Sequence, residues 1–152
     1  MKQISILVVL CGLTFSTFAQ KGEQLYQAVS SGNQAKIEKL IKKGADVNYV
    51  YSQGPWMKVN SLITAINKNN IEAVKLLLEN GADVNWKDGF KSSAIIYACA
   101  SGNLEMVKLL LKHGANINDD DGQGNNTLTA AKESKNKEVI KFVEEKLNEG
   151  GK

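Results

Sequence analysis

The chain has 152 residues, 43% of them apolar and one of them proline, with 19 basic against 16 acidic side chains and a formal charge of +3. That is enough apolar material for one domain with a core, and too little net charge for a disordered chain. Every basic residue is lysine, so the bidentate arginine fork that reads guanine or clamps phosphate is missing and no nucleic-acid partner is expected; the single His113 excludes a multi-histidine metal site.

From the N-terminus, Met1-Lys2 is a short positive start, and the apolar run from Ile4 to Leu10 continues through Phe15 and Phe18. Thr17 and Ala19 then supply small residues at −3 and −1. This pattern predicts a secretory signal peptide over residues 1–19, cleaved after Ala19. Its apolar core is shorter than the ~18–20 residues a spanning helix needs, so no stable membrane insertion is expected after cleavage. Leu10 is too large for the position before a lipidated Cys11. A periplasmic or secreted chain of residues 20–152 follows, with Cys99 as its only thiol, expected to be buried.

The rest repeats one phrase. Ile37–Asn48, Val74–Asn85 and Val107–Asn118 each carry a helical apolar stripe ending in Gly-Ala-Asp/Asn-Val/Ile-Asn, with Gly44, Gly81 and Gly114 spaced by 37 and 33. Ala28, Ala65, Ala98 and Ala131 mark a second phase at 37, 33 and 33. Each unit reads as two short helices and a turn. Asn60, Ser93 and Asn126 open the first helix as side-chain caps. Val74, Leu77 and Leu78, or Val107, Leu110 and Leu111, form the i, i+3, i+4 face of the second, and glycine closes it in the left-handed conformation. Asp88-Gly89 and Asp121-Gly122 are hairpin dipeptides.

These phrases resemble the ankyrin repeat over about residues 22–148. The resemblance implies an all-α repeat solenoid of four helix-turn-helix units, about 22–54, 55–87, 88–120 and 121–148, joined by β-hairpin-type turns. The family's Thr-Pro-Leu-His-x-Ala phrase is degraded to Asn60–Ala65, Ser93–Ala98 and Asn126–Ala131, with Ile63 and Ile96 where histidine is usual. In the end units Lys39 and Glu144 replace leucines of the central units. Both are expected to face outward as polar caps, which makes the domain complete as written.

No catalytic motif, metal-ligand spacing or cofactor signature occurs, so neither enzyme activity nor a cofactor is expected. Cys99 reads as a core residue and His113 as a surface side chain near a helix C-terminus. The run Asp119-Asp120-Asp121 lacks the ligand spacing of a calcium loop and reads as a solvated acidic turn.

Stacked units expose a concave face of turns and short helices, where the resemblance implies a protein partner on a monomer. Its expected contact positions are Trp56, Met57 and Val59, then Phe90 and Ser92, then Gln123 and Asn125 in the turns, with Asn67, Lys68, Ala100, Ser101, Glu133 and Ser134 on the helices. The first turn is four residues longer than the others, and Tyr49, Tyr51, Trp56, Trp86 and Phe90 fall in two adjacent turns. Such rings either pack over the turn bases and on each other or form a partner-binding patch; glycan stacking is a third use. The reading is an exported binding module, with a secreted host-directed or envelope scaffold protein as the alternative.

Overall fold

The computed structural model describes residues 19–149. The targeting segment read over residues 1–19 therefore lies, apart from Ala19, outside the described residues, as does Cys11. Helix α1 occupies residues 19–30 of the described part and α2 spans Gln34–Lys42. A hairpin follows, β1 (Val50–Ser52) and β2 (Lys58–Asn60), paired antiparallel with Tyr51 opposite Val59. Then come α3 (Ser61–Asn67), α4 (Ile71–Glu79), α5 (Ala94–Ser101), α6 (Leu104–Lys112), α7 (Thr127–Glu133) and α8 (Lys137–Glu149).

The pairs stack in register. Helices α3, α5 and α7 pack in one row, and α2, α4, α6 and α8 form a second row beside it. Small residues let the first row approach closely: Ala28, Ala65, Ala98 and Ala131 are all buried. The second row contributes Leu40, Leu77, Leu110 and Val143, one buried residue per helix at the repeat spacing. Ile63 and Ile96 are buried, so the position that carries histidine in the resembling family is here part of the apolar core. Lys39 and Glu144 are exposed.

Each second helix is opened by an asparagine whose side chain accepts from the first turn: Asn33, Asn70, Asn103 and Asn136, bonding Lys36, Ala73, Met106 and Glu138 N–H groups at 3.0 Å. A second set joins neighbouring pairs. The Asn48 amide donates to the Gly81 carbonyl at 3.0 Å and accepts from Asp83 N at 2.8 Å; Asn85 does the same to Gly114 and Asn116, both at 3.0 Å. These bonds satisfy groups that a helix exit leaves free.

Three sequence expectations change. Asn60 and Asn126 cap α3 and α7, but the Ser93 side chain makes no cap bond to α5 and instead donates to Asp119. Serine is shorter than asparagine, and the neighbouring carboxylate is the stronger acceptor. Gly89 does not adopt a positive φ, whereas Lys91 does, at 63°; the second turn is therefore built by Asp88, which accepts from Phe90 N and Ser92 N at 2.8 and 3.0 Å, and not by a left-handed Asp-Gly pair. Finally, the acidic run is solvated only at Asp120. Asp119 and Asp121 are buried: Asp119 takes Ser93 and the Lys87 ammonium at 2.6 Å, and Asp121 takes Gln123 N, Asn125 N and the Asn125 amide. Those donors, Gln123 N first, hold the Asp121 carboxyl below its ordinary range.

Candidate functional site

The four extra residues of the first turn extend the hairpin outward. Past β1 the chain turns at Gly54, φ 123°, and returns through Trp56 and Met57 to β2, with Gln53 N bonded to the Met57 carbonyl at 3.0 Å. This loop lies against the next turn. Gly89 N donates to the Lys58 carbonyl at 3.2 Å, and a Cβ at position 89 would stand 2.0 Å from the Trp56 carbonyl oxygen. The glycine is needed for close approach of two backbones.

The contact leaves a groove of about 340 Å³ between the two turns. Its walls include Tyr51, Trp56, Met57, Val59, Asn67 and Phe90 from the sequence expectation, and also Tyr26, Lys58, Ile63, Asp88 and Tyr97. Trp56, Met57 and Phe90 are 68%, 59% and 58% exposed, the large apolar side chains that the described part of the chain leaves open to solvent. Tyr26 and Tyr51 stack at 4.5 Å between ring centroids, 9° from parallel, which ties the hairpin to α1. On the opposite wall the Tyr97 hydroxyl donates to Asp88 at 2.5 Å. Burial, then that carboxylate, pushes the phenol well above its ordinary 10.0.

The remaining expected positions lie elsewhere. Ala100 and Ser101 line a neighbouring cleft that shares Asn67 and Tyr97 with the groove. Trp86 packs half-buried against the core and not on Trp56; Tyr26 and Tyr51 are the stacked aromatic pair among the described residues. Tyr49 is half-buried over α1, where a Cβ at Gly22 would come within 2.7 Å of its own. Ser92 is buried, and its carbonyl accepts from Asp88 N at 3.0 Å. Lys68, Gln123, Asn125 and Glu133 are exposed outside the groove, and Ser134 turns its hydroxyl to the Ala131 carbonyl at 2.6 Å. Tyr26 and Tyr97 carry no mark of this site in the sequence, because each sits in a helix whose apolar neighbours read as core.

Cys99 is fully buried, and burial pushes its thiol up to about 12, which leaves no thiolate for nucleophilic chemistry near neutral pH. No group of His, Cys, Asp and Glu side chains among the described residues is arranged to hold a metal ion. No helix among them is long and apolar enough to cross a membrane.

A family model for ankyrin repeats, in three copies, matches residues 61–149. Comparison with curated protein sequences finds no match.

Proposed function

The chain belongs to the ankyrin-repeat family, whose members are generally protein–protein interaction modules, and from that premise we propose that it is a non-enzymatic module binding a protein partner in the groove between its first two turns. The observation that carries this reading is the exposure of Trp56 and Met57, on a loop whose backbone is fixed by Gly89 and by the Tyr26–Tyr51 stack, beside the exposed Phe90 of the next turn. Exposed large apolar groups cost solubility unless something covers them, and rings held rigidly lose little entropy when covered.

Two further parts belong to the same reading. The pair α1–α2, N-terminal to the matched residues, is a fourth ankyrin unit: its exit at Gly44 has φ 72° against 86° and 88° at Gly81 and Gly114, and its Asn48 makes the same cross-pair bonds as Asn85. The protein acts after export, on the charge, apolar core and small residues of positions 1–19. Mass spectrometry of the protein from its own cells should find an N-terminus at Gln20; a chain retaining residues 1–19 would refute export by cleavage.

A photo-crosslinking side chain at position 57 tests the binding site. It should trap a partner in native extract that the same group at position 42, on α2, does not. Equal trapping at both positions would refute the groove as the contact.

A further inference from the structure

We infer that the groove takes a short, extended acidic segment of the partner protein, anchored by one large apolar or aromatic side chain. The inference rests on the binding reading above and specifies the chemistry of the occupant. At about 340 Å³ the groove is at the lower end of the roughly 300–1,000 Å³ of small-ligand sites, so it accommodates an anchor side chain and not the face of a folded domain.

Charge selects what flanks that anchor. Lys58 lines the groove, and Lys68 and Lys91 directly follow the lining residues Asn67 and Phe90. All three are exposed, and none has an acidic partner among the described residues. The one carboxylate in the wall, Asp88, is already engaged: one oxygen accepts from Phe90 N and Ser92 N, the other from Tyr97. Glu23 lies on α1 beside Tyr49, outside the lining. The donors to Asp88 are neutral and leave it charged, so three ammonium groups stand against the carboxylates of Asp88 and, one helical turn from Tyr26, Glu23, and the balance around the apolar floor is positive. An acidic segment gains from it without needing the bidentate geometry that lysine lacks, and a basic one is repelled.

The neighbouring cleft gives such a segment a path. Asn67 and Tyr97 belong to both hollows, so a chain leaving the anchor pocket over this shared wall continues along Ala100, Ser101 and Asn103; Glu138 also lines that cleft, so the acidic residues of the segment belong beside the anchor, near Lys58, Lys68 and Lys91, and its uncharged part in the cleft. The exposed Asn67 amide, donor and acceptor at once, stands where it can bond a passing main chain.

Panning a random-peptide display library on the whole mature chain, with Trp56→Ala as the counter-selection, tests this. Peptides that need Trp56 should carry an aromatic or large apolar residue flanked by Asp and Glu. The paired change Lys58→Glu with Lys91→Glu should weaken the best of them by about tenfold and remove most of the salt dependence of binding. Trp56-dependent peptides that are neutral or basic would overturn the acidic occupant and leave the groove reading standing. Trp56-dependent binding of a chitooligosaccharide without any such peptide would assign the groove to a glycan and overturn the inference. If no retained ligand responds to Trp56→Ala, both the inference and the groove reading fall.

Discussion

A methyl group at position 89 has nowhere to go, since the Trp56 carbonyl oxygen would lie 2.0 Å from it. Gly89 does not have a positive φ, so Gly89→Ala adds no backbone strain of its own and acts by pushing the long turn away from its neighbour. We expect partner affinity to fall by about tenfold or more, as misplacing an anchor does, with a small loss in melting temperature; titration calorimetry and a thermal melt separate the two. Lys135, by contrast, is strained where it stands, at φ 59° in a position that is Gly32, Asn69 or Gly102 in the other pairs. Lys135→Gly should therefore raise stability in urea by about 0.5–1 kcal/mol, the left-handed cost less the entropy of glycine. Tyr97, Cys99 and Asp121 tie stability to pH. The folded phenol of Tyr97 lies above its ordinary 10.0 and the thiol of Cys99 above its ordinary 9.0, so each contributes stability below those values that is lost as pH rises beyond them. The folded Asp121 carboxyl lies below its ordinary 3.8, so its contribution is present above that pH and lost as pH falls through the lower folded value. Urea midpoints against pH should fall at both ends, and Asp121→Asn should flatten the acid limb.

At the scale of elements, the second helices were legible because burial and periodicity agree: Val74, Leu77 and Leu78 are written at helical spacing and all are buried. Leu77→Ala should cost about 2–5 kcal/mol in chemical denaturation, because the stacked neighbours cannot close the cavity. The turns are less legible. An Asp-Gly pair names a turn without fixing its geometry, and here the left-handed residue is Lys91 in one turn and Gly122 with Gly124 in the next. The cross-pair asparagines left no local signal either, since Asn85 bonds partners 29 and 31 residues away. Yet Asn48, Asn85 and Asn118 stand at the repeat spacing, and so do the caps Asn33, Asn70, Asn103 and Asn136, so a search for periodic polar residues would have found both sets. Asn85→Ala removes two bonds and should cost about 1–3 kcal/mol, measured the same way.

For the molecule as a whole, the stack explains what is regular and isolates what is not. Four in-phase alanines, the isoleucines and leucines around them and at least two buried apolar residues per second helix make up the core, and Lys39 and Glu144 are exposed. Stacking does not call for the four extra residues of the first turn, which carry Trp56 and Met57 into solvent beside Phe90. Their place in the first turn was visible in the sequence; that they share a groove with Tyr26 and Tyr97 was not, because helices from different pairs supply those walls. The most direct test of the account is affinity capture from native extract with the wild-type chain and the Trp56→Ala, Phe90→Ala double variant, after matching their melting temperatures. The account predicts that a partner protein is retained by the wild type and lost from the variant; equal retention by both would contradict it.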